Sequence, residues 1–160
     1  MPKVPQSQLL LPSLLDRLVA EETSSPTSKG QYLRELKESV RRDLQNLLNT
    51  RWHCTSWPPD LTELEVSLLS YGLPDLTSLQ FGSPESQEEF RRLVERTIRN
   101  FEPRLRKVSV EIIKEQGTPE RTLRLRIDGL LHVEPTPEPV VYDSVLEPMS
   151  GNVEVKGGVR

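Results

Sequence analysis

Cysteine is nearly absent. Cys54 stands alone among 160 residues, which excludes an internal disulfide framework and agrees with a reducing compartment. His53 and His132 are the only histidines, and with one cysteine they cannot complete a usual zinc site without several carboxylates. Neither a metal nor a cofactor is expected. Hydrophobic residues make up 34% and aromatics 5%, enough for the modest core of one domain. No apolar run approaches the roughly 18–20 residues of a membrane helix. The run Gln8-Leu9-Leu10-Leu11 stops at Pro12 with only Lys3 before it, a poor signal peptide. The chain is therefore expected to be soluble and cytoplasmic, with no insertion into a membrane. A glycine-rich phosphate loop, a Gly-x-Ser-x-Gly turn and a His-Glu-x-x-His helix are also missing. No catalytic constellation remains, and a carboxylate pair such as Glu102 with Asp128 would have to be judged by geometry.

Proline and charge are what the chain does have. Fourteen prolines require helices and strands to fit between frequent breaks. The net charge of −3 is segregated. Residues 1–90 carry 8 basic and 13 acidic groups, residues 91–126 carry 11 and 5, and residues 127–150 carry five acids and no base. Such asymmetry bears on partners more than on fold. It fits a solvated helix face beside an acidic edge, or a basic docking face for an acidic protein. Nucleic acid is not expected, because the aromatic residues are not interleaved with the basic ones.

Along the chain, residues 1–30 read as a tail containing a short docking helix and a polar linker, and residues 31–160 as one domain. Ser13 is a candidate cap for the short helix, whose stripe is Leu14, Leu15, Leu18 and Val19. So few turns are unstable alone and need a surface to dock on. A second helix is expected from Gln31 to Asn49 on Leu33, Leu36, Val40, Leu44, Leu47 and Leu48. Trp52, His53, Cys54 and Trp57 read as a structural loop, and residues 61–69 as a short helix. The strongest helix opens at Ser83-Pro84, or at a capping box of Ser86 and Glu89, and carries Phe90, Leu93, Val94, Thr97, Ile98 and Phe101.

Pro103 ends that helix, and the period then changes to two. Val108, Val110 and Ile112 predict a strand, residues 116–119 a turn, and Leu123, Leu125 and Ile127 a return strand, with Gly129 at a bulge or register change. Residues 134–139, with three prolines, are expected to stay out of any central strand. Residues 140–145 and 152–155 supply two more strands. Helices first and hairpins second give an α+β fold, with N-terminal helices packed on one face of a small, mainly antiparallel C-terminal sheet. At the helix-to-strand junction, Glu102 and Arg104 flank Pro103 on a rigid corner. Arg104 there either grips a partner's carboxylate or makes an internal ion pair that shapes the turn.

Five motifs then follow one another in register: Leu-Leu-Pro-Ser-Leu-Leu-Asp-Arg-Leu (10–18), Val-Arg-Arg-Asp-Leu-Gln-Asn-Leu-Leu-Asn-Thr-Arg (40–51), Tyr-Gly-Leu-Pro-Asp-Leu (71–76), Phe-Glu-Pro-Arg-Leu (101–105) and Val-Glu-Pro (133–135). Together they resemble the TssE baseplate-wedge family of type VI secretion systems, itself similar to the small lysozyme-like wedge protein of contractile phage baseplates. The resemblance implies a non-enzymatic role in a multi-subunit baseplate with the wedge proteins TssF and TssG and with TssK. It implies docking at the inner membrane through that assembly, and a sheet on which the TssB/TssC sheath begins to polymerise. Glu102, Pro103 and Arg104 match the family's Glu-Pro-Arg motif, which engages the helical core of the wedge. Arg106 and the stripe of Leu14, Leu15 and Leu18 are further candidate partner contacts. The competing readings are a lysozyme-like peptidoglycan hydrolase and a generic protein-interaction adaptor.

Overall fold

The computed structural model describes residues 18, 29–52, 58, 60–75, 83–113, 122–133, 136–147 and 150–158. Among the described residues the longer elements are, in chain order, helices α1 (Lys29–Asn49) and α2 (Pro84–Phe101) and strands β1 (Leu105–Ile113), β2 (Leu123–Leu131), β3 (Glu138–Glu147) and β4 (Asn152–Gly157). The strands form one antiparallel meander in the order β1-β2-β3-β4. This is the expected α+β arrangement.

Each helix forms because its apolar residues share one face. Leu36, Val40, Leu44, Leu47 and Leu48 of α1 are buried, spaced by 4, 4, 3 and 1 residues as a helical stripe requires. In α2 the stripe is Phe90, Val94, Thr97 and Ile98. Of the two candidate caps for α2, Ser83 is used: its side chain accepts from the Ser86 backbone N–H, with Pro84 in the first turn. The sheet contributes Val108, Val110, Leu125, Ile127, Leu131, Tyr142, Leu146, Val153 and Val155 to the same core. Residues 61–69 depart from the expected helix and instead make two short 3-10 turns, Thr62–Val66 and Leu68–Ser70. The short docking helix lies outside the described residues except for Leu18, which is helical and 84% exposed. His53, Cys54, Trp57 and the turn at 116–119 also lie outside them.

The irregularity foreseen at Gly129 sits across from it, in β1. Arg106 pairs with Leu130 and Ser109 with Asp128, so Lys107 and Val108 together oppose the single residue Gly129. Lys107 takes the extra step with a positive φ of 51°. The bulge has a packing cause: Leu105 and Val108 are both buried although three residues apart, which strict alternation forbids. One extra residue restores the phase.

A second expectation is corrected. Glu138 and Pro139 open β3, an inner strand, with Pro139 opposite Leu130. The reason is that β4 pairs with β3 only from Tyr142 onward. At Pro139 the strand is locally an edge, where a missing N–H costs no ladder bond.

Candidate functional site at the Glu-Pro-Arg corner

The corner is built where α2 hands over to β1. The Glu102 N–H makes the last helical bond, to the Ile98 carbonyl at 2.8 Å, and its φ of −122° and ψ of 77° leave the helix as Pro103 demands. The Leu105 N–H returns to the Glu102 carbonyl at 3.1 Å, closing the turn into β1. Just inside the corner, Tyr71 meets Phe101 edge-on, with ring centroids 5.2 Å apart.

Glu102 turns inward. Its side chain is 5% exposed, and both carboxylate oxygens accept from Arg104: Nε to Oε1 at 2.7 Å and Nη2 to Oε2 at 2.5 Å. The Arg104 backbone N–H also donates to Oε1 at 3.2 Å. The same guanidinium reaches α1, donating to Asp43 Oδ2 at 2.5 Å and to Ser39 Oγ at 3.2 Å. Burial opposes the Arg104 charge, but the bonds and charges of Glu102 and then Asp43 outweigh it, and its pKa is raised. The internal ion pair, one of the two readings of this motif, is therefore formed. It does more than shape a turn, because it ties the corner to α1. Pro103 and Arg106 remain exposed, and Arg104 is 19% exposed.

Asp43 and Ser39 were not legible as members of this site. They sit on the less apolar flank of a helix whose register shows only its core stripe, some 60 residues from Arg104 in sequence. Among the described residues no group of three or more His, Cys, Asp or Glu side chains could hold a metal. Both Glu102 oxygens are engaged by Arg104, so Glu102 is not a free partner for Asp128.

The sheet edges are the second feature. At β4, Asn49 bonds both backbone groups of Val153: Nδ2 donates to its carbonyl at 2.8 Å and Oδ1 accepts from its N–H at 2.9 Å. Arg41 donates to the Val155 carbonyl at 2.8 Å. Arg51, on the bridge after α1, donates to the Leu48 carbonyl at 2.7 Å and to the Gly151 carbonyl in the β3-β4 turn. At β1, Arg99 donates to the Val108 carbonyl at 2.9 Å and Arg91 to the Val110 carbonyl at 3.2 Å. Each helix thus covers one edge of the sheet.

With that geometry in view, comparison with known proteins gives an answer. The family described as baseplate wedge protein gp25 matches residues 34–136, more than half of the chain. The chain belongs to that family. No curated protein matches it significantly by sequence. Among solved structures, a chain of "The baseplate complex from the type VI secretion system" is similar in fold, with a TM-score of 0.50 and 20% identity over 71% of this chain and 96% of that one. The match to the baseplate-wedge family takes in most of α1 and all of α2, β1 and β2, and with them the whole corner.

Proposed function

We propose that the chain is a non-enzymatic structural subunit of a type VI secretion baseplate, joining TssF and TssG in the wedge, in an assembly that also holds TssK. The observation that carries this reading is the corner, which lies within the residues matched to the baseplate-wedge family and is locked into one geometry by Arg104. Preorganisation of this kind lowers the entropy cost of docking. Glu102 is a positioning residue, and Pro103, Arg106 and the outer part of Arg104 make the contact. Leu14, Leu15 and Leu18 supply a second, apolar attachment. No helix among the described residues is long and apolar enough to cross a membrane, so association with the inner membrane goes through the assembled baseplate.

Templating of the TssB/TssC sheath belongs to the same reading, and the sheet is suited to it by strand addition. A strand joining β4 has to displace Asn49, which satisfies both backbone groups of Val153. A strand joining β1 displaces two arginines that hold one carbonyl each. β1 is the easier edge.

Copurification with TssF and TssG tests the wedge contact. Arg106→Glu is expected to weaken the complex without abolishing it, while its thermal melt matches wild type, since Arg106 is exposed. Full retention of the complex by Arg106→Glu and by Arg104→Lys overturns the corner as the contact. Lysis of purified cell wall, abolished by Glu102→Gln in a variant that stays folded, would favour the hydrolase reading instead.

A further inference from the structure

Four large apolar side chains lie exposed within nine residues: Leu61 (47%), Val66 (56%), Leu68 (88%) and Leu69 (50%). Single exposed leucines need no explanation, but a contiguous group does. The stretch is internally tied. Ser70 Oγ donates within reach of the Leu64, Glu65 and Ser67 carbonyls at 2.9–3.0 Å, Ser67 Oγ donates to the Leu64 carbonyl at 2.9 Å, and Asn100 of α2 reaches the Glu65 carbonyl at 3.4 Å. Beside it runs a cleft of about 60 Å³, with Leu93, Thr97 and Phe101 of α2 on one wall and Ser70 and Gly72 on the other. The stretch itself is acidic, while Arg96 of α2 also lines the cleft. Residues 52–90 contain seven Asp and Glu and no Lys or Arg, and Asp60, Glu63 and Glu65 are exposed among the apolar residues.

We propose that residues 61–69 are a docking surface for an amphipathic helix of another protein, one that carries lysine or arginine beside its apolar face. The apolar face covers Leu61, Val66, Leu68 and Leu69, and the basic flank meets Glu63 and Glu65. The chemistry selects against the other occupants. An added strand finds no ladder here, because these turns spend backbone groups on their own 3-10 bonds. A second copy in a twofold contact brings this patch against itself, so acids meet acids with no basic flank to answer Glu63 and Glu65. An anionic membrane surface repels the same acids. The contact is separate from the Glu-Pro-Arg corner and stands whether or not that corner binds a wedge.

The test is an NMR titration of the full chain with a helical leucine–lysine peptide, and with its leucine–glutamate counterpart as control. Shifts are expected in residues 61–70 and the facing side of α2 with the lysine peptide, and none with the glutamate peptide. The double variant Leu68→Ser/Leu69→Ser keeps every acid and alters only exposed side chains, so its fold stays intact by circular dichroism. It is expected to bind about tenfold more weakly. Glu63→Lys/Glu65→Lys is expected to reverse the preference between peptides. Unchanged affinity of the Leu68→Ser/Leu69→Ser variant overturns the proposal, as that outcome means diffuse electrostatic attraction. Shifts confined to other surfaces overturn it as well, and so does self-association of the chain that the same substitutions abolish.

Discussion

Arg104 is held by three side chains, and the carboxylate it serves has almost no solvent. Breaking such a pair from one side strands the remaining charge, whereas removing both charges together relieves it. Arg104→Ala is therefore expected to lower stability by about 3 kcal/mol in urea unfolding. The double variant Glu102→Leu/Arg104→Met is expected to recover most of that loss. If the single change costs nothing, the corner is not held as described. Lys107 presents the opposite case. A non-glycine residue in the left-handed region costs about 1–2 kcal/mol, and glycine gives back about half of that in unfolded-state entropy. Lys107→Gly is expected to raise stability by about 0.5–1 kcal/mol, read as a higher melting temperature. Gly72 shows the same rule from the other side: at φ 106° an added Cβ would lie 2.3 Å from the Thr50 carbonyl oxygen. The surface carboxylate Glu88 is held down to about 2 by hydrogen bonds from Arg91 and Arg92, with their charges adding to the effect. Its folded pKa lies below its unfolded one, so this contribution is complete above the unfolded value and disappears as pH falls through about 2. Side-chain carboxyl NMR is expected to find Glu88 still charged at pH 3.

Between residues and the whole stand the elements, and here the two sheet edges matter most. An exposed edge invites pairing with another chain. In this fold each helix reaches past its apolar stripe to bond an edge: Asn49 and Arg41 from α1, Arg91 and Arg99 from α2. Asn49→Ala removes the two bonds on Val153, and water replaces part of what is lost. A cost of about 1–2 kcal/mol is expected, together with concentration-dependent self-association in sedimentation. A monomer at all concentrations would mean that Asn49 does not guard the edge. The helices and strands themselves were legible, because leucine and valine spacing reports which face is buried. The mutual position of distant elements was not. Nothing in the spacing of α1 says that Asn49 meets Val153, or that Asp43 meets Arg104. The bulge was half legible: Gly129 marked its level, but its strand follows from the mismatch between Leu105 and Val108. Residues 61–69 looked helical because leucines recur there, and burial, which periodicity cannot see, is what those leucines lack.

At the scale of the molecule, five of the eleven basic residues between 91 and 126 are held in ion pairs among the described residues. Arg91 pairs with Glu88 and Glu95, Arg92 with Glu88, Arg99 with Glu95, Arg104 with Glu102 and Asp43, and Arg126 with Asp143. Arg106 and Lys107 form no ion pair among the described residues and are exposed. At the corner, the proposed wedge contact would rest on the small basic spot of Arg106 and Lys107. The turns at 61–69 offer the reverse balance, acidic and apolar. Two contacts of such different composition respond differently to salt. Attraction between exposed charges is screened over about 10 Å at 0.1 M and about 3 Å at 1 M, while apolar burial is not weakened by added salt. If the proposed binding of TssF and TssG runs through Arg106, it is expected to weaken as sodium chloride rises from 0.05 to 0.5 M (about a threefold drop in screening length), mainly through slower association. In the Arg106→Glu variant that salt dependence is expected to flatten. The contact at Leu68 and Leu69, mainly apolar with a charged flank at Glu63 and Glu65, is expected to weaken less over the same range. Surface plasmon resonance on wild type, Arg106→Glu and Leu68→Ser/Leu69→Ser separates the two. Equal salt slopes for wild type and Arg106→Glu would remove the corner's charge from the binding mechanism.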